Sequence, residues 1–310
     1  MARRRVCLVA DDFGLHRGVD EAVLQLVDAK CLQAFGCMTG GRSWRASAET
    51  LRNAPPSQVD IGLHLDLTER PIERRVQPLR SVIATAYARR LDLHTIRAEI
   101  RAQLNAFEAG LGRAPDYVDG HQHVHQLPGI RSELVAELEE RYSLAERPWL
   151  RCTIPASGSH DASPKQPYHA PFSVRLKETL IATLGGYGLH ALARQHRFAM
   201  NAGLVGVYGF DANLPVYEAL MMRWLANAPD GAALMCHPAL GTDPSDPIAA
   251  ARLVEYQFLA SNALTELLDR FQIETQPMRN ILYDVADQPV SGHAPDELED
   301  SARQADANTP

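Results

Sequence analysis

Cysteine is scarce in this chain and shows no pairing pattern. The five residues, at positions 7, 31, 37, 152 and 236, are odd in number and include no C-x-x-C pair, which speaks against a disulfide framework and for a reducing compartment. No stretch approaches the roughly 18 uninterrupted apolar residues of a membrane-spanning helix, so no stable membrane insertion is expected. The apolar run after Arg3-Arg4-Arg5 is too short for a secretory signal, so no cleaved leader is expected and the cytoplasm is the default setting. Neither a G-x-S-x-G elbow nor a glycine-rich phosphate loop occurs, which argues against serine-nucleophile and P-loop chemistry. Excess basic charge is missing too: the formal net charge is -7, and no nucleic-acid partner is expected.

What the chain does have is enough apolar material for one large core. At 310 residues and 45% hydrophobic content it fits a single α/β domain, and an α/β barrel commonly occupies this length as one unit. Residues 93–111 place Ile96, Ile100, Leu104 and Phe107 at helical spacing, and Gly110 and Gly112 stop the pattern. Further helices are expected at 18–29, 130–144, 174–184 and 214–226, with one long helix over 248–271. Apolar strand-like runs alternate with them, the order of repeated βα units. The stretch 153–172, rich in Pro, Ser and His, reads either as a substrate-facing lid or as a disordered insertion. From 287 to 310 the composition turns polar and acidic and predicts a disordered tail, leaving 1–286 as the folded domain. A homodimer stays open.

The chemistry-bearing residues gather where apolar runs stop. Tyr117 to His125 holds Asp119 and the imidazoles of His121, His123 and His125 within nine residues. Neutral imidazole is the commonest protein ligand for zinc and other transition metals, so this density makes a metal site the first hypothesis. The run Val6 to Ala10 ends at Asp11-Asp12, the end of a buried strand where α/β proteins carry their chemistry. Strand alternation sends the two carboxylates to opposite sides, so one could hold a metal and the other take a proton; a helix N-cap is the competing reading. From Ile61 to Leu67 apolar residues alternate with Gly62, His64 and Asp66, which puts His64 and Asp66 on one strand face. The run Ala232 to Cys236 ends at His237. Four apolar runs that all end in Asp or His describe one rim of a barrel or sheet.

The segments ADDFGLHRGVDEAV, IGLHLDLTE, YVDGHQHVHQLP and MCHPAL resemble those of the YdjC-like carbohydrate deacetylases, the group that includes chitooligosaccharide deacetylases and hopanoid-biosynthesis relatives. The resemblance runs from Val6 to about Asp284, with the motifs in the family's order and spacing. It implies an irregular (β/α) barrel of the glycoside hydrolase/deacetylase type and removal of acetyl groups from N-acetylated amino sugars, either oligosaccharides or lipid-linked. By the same resemblance Asp12, His64 and His121 hold one divalent ion, Asp11 is the general base and His237 the general acid. His125 becomes a rim residue near substrate or metal, and Arg151 a substrate-contacting or supporting residue. Magnesium is the ion the family suggests, and zinc is the alternative that the donor set suits. Tyr208 to Phe210 reads either as an aromatic platform for a sugar or as rim packing. Two other classes compete: a metal-dependent phosphoesterase, which would want more ligands to bridge two ions, and a non-catalytic sugar-binding protein, which would need neither Asp11 nor His237.

Overall fold

The computed structural model describes residues 3–53, 58–156 and 172–283. Most of the stretch 153–172, read as a lid or an insertion, and the whole of the expected tail at 287–310 therefore lie outside the described residues. Eight parallel strands form the sheet: β1 (Arg4–Phe13), β2 (Ala34–Cys37), β3 (Asp60–Leu65), β4 (Tyr117–Gly120), β5 (Trp149–Leu150), β6 (Gly203–Val205), β7 (Ala232–Cys236) and β8 (Ile273–Thr275). Their order is β5-β4-β3-β2-β1-β7-β6, and β7 occupies one edge of β1 while β2 and β8 divide the other. The sheet curls until β6 meets the chain after β5: Leu204 N donates to Ile154 O at 2.9 Å and Ala156 N to Leu204 O at 3.0 Å. Single bridges make this closure rather than a full ladder, so the single-domain α/β barrel is irregular.

Both faces of the strands are buried, which is why they read as continuous apolar runs. Along β1, Val6, Leu8 and Ala10 pack outward under the helices, while Cys7 and Val9 point into the barrel. On β3, Ile61, Leu63 and Leu65 pack outward, leaving Asp60, Gly62 and His64 for the interior. Tyr117 and Trp149 stack there with ring centroids 4.4 Å apart. The Tyr117 ring lies so close to β3 that a Cβ at position 62 would sit 2.4 Å from it, so this strand position requires glycine.

Helix Leu93–Leu111 begins at Asp92, whose carboxylate accepts His94 N and Thr95 N, and ends at Gly112 with φ 74°. The helix at Arg17–Asp28 follows His16, so neither Asp11 nor Asp12 caps it. The expected single helix over 248–271 is two, Ala249–Leu259 and Asn262–Arg270, separated at Ala260 and Ser261. Strand β3 also stops two residues early. Asp66 lies beyond it and closes a turn by accepting Thr68 N at 2.8 Å and Glu69 N at 3.1 Å, so it does not share a strand face with His64.

Candidate active site

Every group that the sequence places at a strand end arrives at one end of the barrel. Asp11, Asp12, His64, His121 and His237 all line a single cavity of about 410 Å³. The placement of both aspartates in one cavity corrects the strict alternation expected of β1. Its register with β2 shifts between Ala10 and Phe13, and Asp12 adopts φ 70°, a left-handed conformation that Asp tolerates better than most residues. This bulge turns the second carboxylate back toward the cavity while leaving the two with separate partners. Gly14 follows at φ 94°, where a Cβ would lie 2.8 Å from Met38 O, and Asp20 Oδ1 accepts its N–H at 2.6 Å. The turn after the bulge is thereby fixed.

Asp12 stands between the two histidines. Its Oδ1 is 2.9 Å from His121 Nδ1 and 3.3 Å from His64 Nε2, and its Oδ2 accepts Arg252 Nη2 at 2.7 Å. Behind His64, Nδ1 is 2.7 Å from Asp119 Oδ1; behind His121, Nε2 is 3.1 Å from Glu69 Oε1. With Nδ1 turned to Asp119, His64 presents Nε2 to Asp12, so the charged ring donates to both carboxylates and only loss of the Nε2 proton would free a lone pair for a cation. Positive charge is in demand throughout this cluster. Burial opposes ionisation of His64, but Asp119 and Asp11 outweigh it and its pKa rises to about 10. Burial likewise opposes charge on His121, and Asp12 overrides it, holding the pKa well above the imidazole range. Asp12 itself is held well below the carboxylate range: burial raises it, and Arg252 and His121 pull it down further.

A second buried network lies beneath the cavity. Arg151 grips Asp11 with both terminal nitrogens, Nη1 to Oδ2 and Nη2 to Oδ1 each at 2.7 Å, and its Nη2 is 2.8 Å from Asp119 Oδ2. It is 1% exposed and does not line the cavity, so it supports Asp11 from below and is not the substrate-contacting residue expected on the rim. His125 is placed behind the site as well. Fully buried, it gives its Nε2 hydrogen to the Arg151 carbonyl at 3.1 Å, and burial pushes its pKa down to about 4. Gln122 and His123, at φ 52° and 59°, turn the chain between His121 and His125. The histidine run therefore supplies one member of the cluster around Asp12, not a chelate of its own.

His237 closes the other side. Its Nε2 is 3.8 Å from Asp11 Oδ2, and the edge-on ring of Phe210 lies 5.0 Å from it between centroids. Glu255, fully buried on the helix Ala249–Leu259, accepts the His237 backbone N–H at 2.5 Å and the Tyr208 hydroxyl at 2.7 Å. Tyr208 is thus buried and held by Glu255, and both it and Phe210 line the cavity. Glu69, Arg252 and Glu255 carry no role in the sequence reading, and Asp119 enters it only as part of the histidine-rich run. The signal for Arg252 and Glu255 was their position, one turn apart in an otherwise apolar helix, since charges on a buried face need partners.

Asp12, His64 and His121 each offer a ligand atom, all within 4.8 Å of one another, and Asp11, His64 and Asp119 form a second such group. The arrangement can hold a cation, accept a proton at Asp11 and present an imidazole at His237 around one cavity.

Several known proteins are similar to this chain in sequence. The mouse protein "Carbohydrate deacetylase" is 27% identical over 262 residues, covering 78% of this chain and 80% of its own length. The human protein of the same name is 31% identical over 156 residues, and a Yersinia enterocolitica "Chitooligosaccharide deacetylase" 32% over 132; these alignments span about half of each relative, 47% and 50%. A crystal structure from Enterococcus faecalis V583, a candidate cellobiose-phosphate cleavage protein, has the same fold, with TM-score 0.62 and 17% identity over 91% of this chain and 100% of that one. The YdjC-like protein family pattern matches residues 5–270, and the chain belongs to that family.

Proposed function

We propose that this protein is a metal-dependent hydrolase that removes the acetyl group from an N-acetylated amino sugar. The observation that carries the reading is the meeting at Asp12 Oδ1 of two imidazole nitrogens, at 2.9 and 3.3 Å, with the far nitrogen of each ring beside a carboxylate. The raised pKa values put protons on the two imidazoles beside the Asp12 carboxylate; a cation would replace those protons, and one carboxylate with two imidazoles is a donor set that suits one. Asp12, His64 and His121 would hold it: magnesium by family resemblance, zinc by donor softness. The chemistry an ion supplies there is Lewis acidity toward water and toward the acetyl carbonyl.

The residues of the chain do the rest. Asp11, fixed in rotation by the two-pronged grip of Arg151, keeps lone pairs free toward the cavity and accepts the proton of the attacking water. Water oxygen joins the acetyl carbon, the C–N bond breaks, and His237 delivers a proton to the departing nitrogen, giving acetate and a free amine. Glu255 and Phe210 hold that imidazole in place. The relatives named carbohydrate and chitooligosaccharide deacetylases support the substrate class. A cytoplasmic setting belongs to the same reading and rests on cysteine usage; among the described residues no helix is long and apolar enough to cross a membrane.

Acetate release from a panel of N-acetylated amino sugars, with and without chelator and beside a generic phosphoester, tests the proposal. Chelator-sensitive acetate release is expected. Phosphate release without acetate would replace it with a phosphoesterase.

A further inference from the structure

One wall of the cavity has no polar business. Leu79 and Ile83 from helix Leu79–Tyr87, Leu127, and Leu180, Ile181 and Leu184 from the helix Phe172–Ile181 and the turn after it all face the space that Asp12 and His237 also line. An oligosaccharide would bring hydroxyls to this wall, and six aliphatic side chains return none of the hydrogen bonds those hydroxyls give up on leaving water. The wall also leads outward. Leu180 is 51% exposed at the mouth, and Leu176, one helical turn before it, is 56% exposed.

The same cavity holds two cations that make no ion pair among the described residues, although Asp211 favours the charge on Lys177. Among the described residues the Arg70 guanidinium makes no ion pair, and its Nε is buried without a hydrogen-bond partner. Lys177, three residues before Leu180, gives a hydrogen to Tyr208 O at 2.7 Å and sits 4.6 Å over the Phe210 ring. Arg42 and Arg252, the other cations lining the cavity, are paired with Asp243 and with Asp12 and Asp246. The apolar wall and the unpaired Arg70 guanidinium line the same cavity as the site, so their occupant is part of whatever the site binds.

We propose that the substrate is an N-acetylated amino sugar joined through a phosphodiester to a long apolar chain, with the phosphate met by Arg70 in the field of Lys177 and the chain laid along the Leu79–Leu127–Leu180 wall. This rests on the deacetylase reading only for the position of the sugar. Guanidinium suits phosphate because its planar fork pairs two oxygens at once, and an aliphatic wall suits methylenes or isoprene units.

Equilibrium binding to the full chain tests the inference with defined probes: N-acetylglucosamine 1-(decyl phosphate), its citronellyl counterpart, decyl N-acetylglucosaminide, N-acetylglucosamine 1-phosphate and chitobiose. A chained phosphodiester should bind at least about tenfold more tightly than each compound lacking chain or phosphate. The decyl and citronellyl forms compare straight and branched chains. Leu180→Asp should collapse the contrast between chained and chainless phosphates, and Arg70→Gln the contrast between phosphodiester and plain glycoside. Equal binding of chained and chainless phosphates, equal binding of phosphodiester and plain glycoside, or tightest binding of chitobiose overturns the inference. Acetate release is read separately: binding in the expected order with no acetate released would sink the deacetylase reading and leave this one standing.

Discussion

Asp60 and His64 lie on the same inward face of β3, one at each end of the barrel interior, and both are buried and ionisable. At the lower end Asp60 is enclosed: its Oδ2 accepts Trp149 Nε1 at 3.2 Å and Arg279 N at 3.0 Å, and its Oδ1 is 3.2 Å from Arg279 Nε. Neighbouring Asp116 accepts Ile61 N at 2.8 Å and Arg279 Nη1 at 3.1 Å. At the upper end His64 also has a buried partner, Asp119, but its second nitrogen faces the Asp12 carboxylate and opens on a cavity. Buried charge thus marks both ends and distinguishes neither. The upper end differs in that potential ligand atoms converge on accessible space, and the lower cluster, turned inward onto its own partners, ties strand starts together.

Substitutions at the two ends should separate these roles. The largest effect is expected at Asp11→Asn, which keeps the side chain's size and should keep the metal but gives up one of the two Arg151 contacts and cannot accept a proton, and should lower turnover by about 10²-fold or more. Turnover surviving within about threefold removes the base role, and a matching fall in metal content makes Asp11 a ligand. His237→Ala should slow amide hydrolysis by about 10²-fold with metal retained, and should slow an ester analogue less, because an alkoxide needs less help from a proton than an amine does. Equal losses on both substrates would point to structural support alone. Asp119→Asn should weaken metal binding about 10- to 100-fold by releasing the His64 tautomer, an effect that saturating metal partly repairs. Unchanged metal affinity would place the determinant elsewhere.

The smallest effect is expected at the lower end. Burial raises the Asp60 pKa to about 6, with the Arg279 backbone N–H opposing. The folded state then binds a proton that the unfolded chain, titrating near 4, does not, so this group's contribution to stability falls as pH rises between these values. Asp60→Asn removes that dependence. Urea unfolding should show wild type gaining on the variant by about 1–3 kcal/mol between pH 6 and pH 4, at unchanged turnover. A gap that stays constant with pH would contradict the raised pKa, and lost turnover would contradict the division between the ends.

Much of the upper end was legible because strand ends carry their own signal: an apolar run that stops at Asp or His needs only register to become a rim. The burial behind it was not. Alternation in β1 predicts opposed aspartates, and only the bulge at Asp12 brings them to one cavity. The even spacing of His121, His123 and His125 suggests a chelate, yet left-handed Gln122 and His123 send His125 behind Arg151. Arg151 carries no local mark of its tertiary partners, being 140 residues from Asp11. The long helix expected over 248–271 fails at Ala260 and Ser261, where apolar spacing continues while the backbone turns. At the lower end Arg4, one of the basic triplet before β1, is partly buried and gives a hydrogen to Phe271 O at 3.1 Å.

The central claim is one ion at Asp12, His64 and His121 serving deacetylation. Its most direct test is to strip the protein with chelator, titrate magnesium and zinc separately, and follow bound ion and acetate release together. Acetate release should vanish on stripping and return in proportion to occupancy, saturating at about one ion per chain, and His64→Ala should abolish both. Full acetate release from stripped protein, or a requirement for a second ion, would contradict the account.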